Sequence, residues 1–163
     1  MTKLTDVERL TLANQFLILN KLQPDEHYAH AAEALMRGYE GLYQQLVFEH
    51  LWEPTPARIT EEVLDIFDMY RGLTNAYKHH GVKKPKGYHP EFEGFDGNHD
   101  PHHGVGTFMV DELGLWPELK GRPMNSHTSS TLPSYLKMVA VWRKLGKPHP
   151  ISQAQADEIV AAG

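Results

Sequence analysis

The sequence has 163 residues, of which 40% are hydrophobic and 23% charged, and it contains no cysteine. This composition predicts one globular domain over 1–163, and it excludes disulfide scaffolds, thiolate metal sites and cysteine nucleophiles. The formal net charge of −5 argues against a nucleic-acid partner, which would require a basic surface. No apolar run reaches the ~20 residues of a membrane helix and no signal peptide is evident, so we expect a cytoplasmic protein without a membrane partner.

Apolar residues recur at helical spacing along almost the whole chain, which predicts an all-α bundle of about seven helices. The first helix is predicted from the capping box of Thr5 and Glu8 to about Leu22. Its apolar positions form two rows, one of Val7, Leu10, Asn14, Leu17 and Lys21, the other of Leu12, Phe16 and Leu19. Because both sides of the helix then need apolar contacts, we expect a homo-oligomer, a dimer or higher.

The next three helices are delimited by proline, glycine and capping residues. The second is predicted from Pro24 to Gly38, and the third from Tyr39 to Trp52, with Phe48, Leu51 and Trp52 directed inward. The fourth begins at a Thr60 cap and stops at Gly81. Its acidic residues are assigned to a solvated polar face: Glu61, Glu62, Asp65 and Asp68.

Two long loops, 81–99 and 116–132, flank a fifth helix that starts with Asp100 as cap and Pro101 at its first position. Aromatic residues in the first loop predict that its second half is ordered by packing: Tyr88, Phe92 and Phe95. The sixth helix is predicted over about 133–145, and the seventh begins at a capping box of Ser152 and Gln155.

A short basic cluster follows the fourth helix and comprises Lys78, Lys83, Lys84 and Lys86, beside His79 and His80. A solvated loop is the favoured interpretation, and an anion-binding patch is the alternative.

The candidate site consists of polar residues from both loops and one helix: Asp96, Asn98, Asn125, Ser126, His127 and Tyr135. The chain between Trp116 and Asn125 is long enough to fold back along the fifth helix. We therefore predict that Asp96 or Asn98 lies within hydrogen-bond reach of the Asn125–His127 segment, where the residues would bind a ligand without catalysis.

The alternative is a hydrolase or metal-assisted enzyme that uses the same two loops. Ser126 and His127 are adjacent, so their side chains point apart and form a poor nucleophile–base pair. His99, His102 and His103 are candidate metal ligands, because imidazole suits zinc and similar ions. However, His102 and His103 point about 100° apart and a helix N-terminus repels cations, so we expect neither a metal nor another cofactor.

In combination, these segments resemble the YfbU family of small bacterial and archaeal proteins. The resemblance covers about residues 4 to 160 and is carried by Glu8-Arg9-Leu10, Leu12-Ala13-Asn14-Gln15-Phe16, Arg37-Gly38-Tyr39-Glu40, Val63-Leu64-Asp65-Ile66-Phe67-Asp68-Met69-Tyr70-Arg71, Gly94-Phe95-Asp96-Gly97-Asn98, Asn125-Ser126-His127, Tyr135, Met138 and Val141-Trp142. It implies an all-helical, self-associating domain. The sequence departs from the family pattern at His99-Asp100, so the resemblance does not extend to the histidine cluster.

Overall fold

The computed structural model describes residues 3–85, 91–128 and 131–163. These residues form helices joined by irregular segments, with one isolated parallel bridge between Phe95 and Asn125, so the predicted all-α fold is confirmed. The chain divides into two compact units, the first ending at Pro54 and the second beginning at Thr55. The single domain over 1–163 stays a prediction. Within the described ranges, no helix combines the length and the apolar character that crossing a membrane requires.

The described residues of the first unit form three α-helices: α1 (Asp6–Leu22), α2 (Glu26–Arg37) and α3 (Tyr43–Leu46), the last preceded by a 3-10 turn over Glu40–Leu42. The predicted capping box is confirmed, because the Glu8 amide donates to Oγ1 of Thr5 and the Thr5 amide donates to the Glu8 carboxylate. The α2 helix begins two residues later than predicted, after an Asp25 cap, and ends at Gly38 in the left-handed conformation.

The two predicted apolar rows of α1 face different surroundings. Leu12 and Phe16 pack against a small core formed by Ala13, Leu35 and Tyr43. On the opposite side, five aliphatic side chains are between 46% and 78% exposed, and we call them the outer face of α1: Val7, Leu10, Leu17, Ile18 and Leu22. Ala13 is the one fully buried residue of this helix.

The predicted third helix over Tyr39–Trp52 is wrong in its extent, because α3 ends at Leu46. Phe48 is half-buried against the small core, but Leu51 and Trp52 are exposed, Trp52 at 93%. The prolines that follow, Pro54 and Pro56, disfavour helical backbone at the residues before them, so the segment enters the second unit without regular structure.

The second unit is built around α4 (Ala57–His79). This helix begins directly after Pro56, where the Ile59 amide donates to the Pro56 carbonyl at 2.9 Å, so the predicted Thr60 cap is wrong and Thr60 lies in the first turn. The residues that follow Pro56 are free to adopt helical backbone. The helix therefore starts there, although Thr60 is the better capping residue.

Three further helices surround α4: α5 (Pro101–Thr107), α6 (Thr131–Lys144) and α7 (Gln153–Ala161). The α5 helix continues as a π-helix over Phe108–Glu112, and a 3-10 turn follows at Pro117–Leu119. The predicted capping box before α7 is confirmed, with the Gln155 amide donating to Oγ of Ser152. The core of the unit is rich in aromatic rings, among them Phe67, Tyr70, Phe92, Phe95, Trp116 and Tyr135. Tyr88 and Lys86 lie outside the described residues.

Candidate functional site

The two long loops meet side by side, in an arrangement that we call the loop junction (residues 94–98 and 124–127). The Phe95 amide donates to the Met124 carbonyl, and the Ser126 amide donates to the Phe95 carbonyl, both at 2.8 Å. Gly94 makes this approach possible, because it has a φ of 98° and a side chain there would meet the backbone of Met124. The loops therefore converge as expected, through backbone groups that flank the predicted residues.

Asn125 joins the two loops through its side chain. Its Oδ1 accepts hydrogen bonds from the Gly97 amide at 3.1 Å and from the His127 amide at 2.9 Å. The residues of the first loop that bond to the Asn125–His127 segment are therefore Phe95 and Gly97, the two neighbours of the predicted Asp96.

Asp96 is 5% exposed and organises the turn that follows it. Its Oδ1 accepts from the Asn98 amide at 2.9 Å, and its Oδ2 lies 2.8 Å from Nδ1 of His99. The Asn98 amide, followed by the His99 imidazole, lowers the pKa of the Asp96 carboxyl below its usual value. Asp100 occupies the N-cap position of α5, before Pro101, as predicted, but its carboxyl accepts from the Asp96 amide and not from an amide of α5.

The remaining predicted residues lie close by and have separate contacts. The Ser126 hydroxyl donates to the Thr128 carbonyl at 3.0 Å and lies 3.2 Å from Oγ1 of Thr131. His127 is exposed, with a φ of 54°. Tyr135 is buried, and its hydroxyl accepts from the Glu93 amide at 3.0 Å. Ser126 thus bonds to Thr128 and Thr131.

The three histidines of the cluster have different environments. His99 is bonded to Asp96, His103 is half-buried, and His102 is 3% exposed with its Nε2 2.7 Å from Oε2 of Glu62. Among the described residues, no three histidine, aspartate or glutamate side chains are grouped closely enough to hold a metal ion.

The polar face predicted for α4 is wrong at two of its four acidic residues, since Glu62 and Asp65 are buried. Glu62 pairs with Arg58 and His102, and Asp65 receives hydrogen bonds from Arg143 and Lys147. Arg58 is a neighbour on α4 itself, but the other partners come from α5, from α6 and from Lys147 just beyond α6, up to 82 residues away along the chain. Helical periodicity cannot reveal such partners, because it describes one helix at a time.

The fold and the loop junction define an all-α protein in which two polar loops are hydrogen-bonded to each other beside an aromatic core. A model of the YfbU domain matches residues 2–162, and the chain belongs to this family. The chain is also similar to the UPF0304 protein MJECS11 of Methanocaldococcus jannaschii, with 29% identity over 172 aligned residues that cover 98% of this chain and 99% of the relative. The family resemblance found in the sequence is thus confirmed. A ligand-binding role for Asp96, Asn98, Asn125, Ser126, His127 and Tyr135 stays a prediction.

Proposed function

We propose that the chain is a non-catalytic binding protein that associates with a second copy of itself through the outer face of α1. The observation that carries this proposal is that all five aliphatic side chains of the outer face are exposed. Val7, Ile18 and Leu22 are the most exposed of them. Burying this face against a second copy would stabilise the pair by about 25 cal/mol for each Å² of apolar surface removed from water. Several exposed apolar side chains on one helix face are typical of an interaction surface. The cysteine-free composition supports a cytoplasmic location.

A second copy fits this face better in an antiparallel than in a parallel arrangement. The beginning of α1 carries Asp6 and Glu8, and its last turn carries Lys21. In an antiparallel pair centred on Asn14, Lys21 of each helix would lie near Asp6 and Glu8 of the other. The helix dipoles would also oppose each other, which is the favourable orientation. A parallel pair would instead place like charges together.

The loop junction supports binding rather than catalysis. Its polar side chains bond to one another and to nearby backbone groups, as Asn125 does with Gly97 and His127. Such closed networks fix one arrangement of a loop, and they favour a structural role for the loop junction within the second unit.

Light scattering coupled to gel filtration tests the proposal. We expect wild-type protein to have twice the chain mass of 18.6 kDa at micromolar concentration. The double variant Leu10→Glu/Leu17→Glu should be monomeric, because two charges per copy would face the partner helix. Both leucines are exposed in the chain, so the variant should keep the circular dichroism spectrum of the wild type.

Leu113→Glu is the matched control, since Leu113 lies in the second unit and is 55% exposed, against 54% for Leu10. It should remain dimeric. A wild-type mass of one chain, or dissociation by Leu113→Glu and not by the α1 variant, would contradict the proposal.

A further inference from the structure

A cleft opens on the second unit beside the C-terminal half of α4. It lies between that helix and three other segments, which contribute Lys84, Phe92 and Arg122. Its volume is about 70 Å³. Since one water occupies roughly 10–15 Å³ by this kind of measure, the cleft holds about five waters, which is the space of one small organic molecule.

The floor of the cleft is apolar and held in place. Tyr70, Phe92 and Leu119 line it and are all buried members of the core. The rings of Tyr70 and Phe92 pack edge to face, with their centroids 5.8 Å apart. A flat apolar body would lie against this floor and exclude water from it.

The two carboxylates at the cleft are already neutralised by arginines. Glu91 forms an ion pair with Arg122 at 3.1 Å, and Glu118 receives two hydrogen bonds from the guanidinium of Arg71. The Arg71 guanidinium also lowers the pKa of the Glu118 carboxyl, so that Glu118 remains ionised and paired. These pairs fix the walls of the cleft and leave no carboxylate there to repel an anion.

Two cations at the cleft are not neutralised in this way. Lys78 and Lys84 line it, and neither forms a hydrogen bond or ion pair with a described residue. They belong to the basic cluster for which the sequence leaves an anion-binding patch as the alternative to a solvated loop. Two ammonium groups beside an apolar floor match a ligand that carries a negative charge at one end of an apolar body.

We propose that this cleft binds a small organic carboxylate, with an apolar body of about one six-membered ring on the Tyr70–Phe92 floor and its carboxylate at Lys78 and Lys84. The proposal is independent of self-association, because the cleft belongs to the second unit and the outer face of α1 to the first.

Isothermal titration of the full chain with three probes tests both halves of the proposal. Benzoate carries the ring and the charge, benzamide is its neutral isostere, and inorganic phosphate is an anion without an apolar body. We expect the dissociation constant of benzoate to be at least about tenfold lower than that of benzamide or phosphate. Equal binding of benzamide, equal binding of phosphate, or no binding of benzoate would each overturn the proposal.

Variants then place the binding in the cleft. Lys78→Met/Lys84→Met should weaken benzoate about tenfold or more, and Thr74→Phe, which fills the cleft without changing its charge, should abolish binding. Lys137→Met on α6 is the control and should bind benzoate as the wild type does, because Lys137 is exposed and outside the cleft. If the double lysine variant binds benzoate as tightly as the wild type does, the assignment is overturned. A circular dichroism spectrum like that of the wild type is the control for folding of the variant.

Discussion

The Nε2 atom of His102 lies 2.7 Å from Oε2 of Glu62 in the interior of the second unit, and joins α5 to α4. The other carboxylate oxygen accepts from Arg58 at 2.9 Å. Because a carboxylate can only accept, Nε2 carries the proton, and Nδ1 of His102 is buried without a hydrogen-bond partner in the described structure. Burial raises the pKa of the Glu62 carboxyl, but the hydrogen bonds from His102 and Arg58 outweigh it, so the pKa is lowered.

This lowered pKa makes stability depend on pH. The unfolded chain takes up the Glu62 proton near the ordinary value of 4.5 and the folded chain only at lower pH, so stability falls as pH drops below that value. We expect Glu62→Gln to lose about 1–3 kcal/mol of unfolding free energy at pH 7. The difference from wild type should shrink below pH 4.5, as measured by urea unfolding. The exposed Glu61→Gln is the control and should match wild type at both pH values, whereas a Glu62→Gln deficit that is constant with pH would refute the linkage.

Asp65 should show a salt-dependent contribution to stability. It accepts hydrogen bonds from Arg143 and Lys147, whose side chains are about half exposed. Burial raises the pKa of the Asp65 carboxyl, and these two cations outweigh it and lower the pKa. We expect Asp65→Asn to cost about 1–2 kcal/mol at low salt and less in 1 M salt, where screening is strong. Asp111→Asn, at an exposed position, should cost nothing measurable; an equal cost at all salt concentrations would contradict the charge-based account.

The loop junction should tolerate no side chain at Gly94. A Cβ atom there would lie 2.5 Å from the Met124 carbonyl oxygen, and the φ of 98° is strained for any other residue. We expect Gly94→Ala to lower the unfolding free energy by about 2–4 kcal/mol. Gly104→Ala in α5 is the matched control, with open space at its Cβ position, and should raise it by about 0.5–1 kcal/mol. Equal effects of the two variants would rule out the close approach of the loops.

Asn14 should set the register of the proposed α1 pair, because a polar residue within an apolar helical interface costs affinity and specifies alignment. We expect Asn14→Leu to tighten self-association roughly tenfold and to give a mixture of assemblies, measured by sedimentation velocity. Gln45→Leu adds the same side chain to α3 and should leave the assembly unchanged. If Asn14→Leu associates more weakly than the wild type, the prediction is wrong and Asn14 makes a specific hydrogen bond across the interface.

The features predicted well from the sequence are those determined within a few residues. The capping boxes of Thr5 and Ser152 close over three residues, and Gly38 ends α2 because its φ of 73° suits glycine. The predicted extent of α3 was wrong because this helix ends at Leu46, well before Pro54, and the predicted start of α4 was wrong because that helix begins directly after Pro56.

The long-range polar contacts were the harder part of the candidate site. The bond from the Gly97 amide to Asn125 spans 28 residues, and the pair of Glu62 and His102 spans 40. Loop length showed that the two loops could meet, but not which atoms would bond. A buried carboxylate such as Glu62 is indistinguishable from a solvated one until its partner helix is placed against it.

The irregular segment between the two units also determines where a protease will cut first. Residues 51–56 have no helical hydrogen bonding, and Trp52 is almost completely exposed within them. Chymotrypsin needs an extended, accessible aromatic residue, whereas the core rings of the second unit are buried and the exposed Phe108 lies in the π-helix. Brief digestion should therefore cleave the chain first near Trp52.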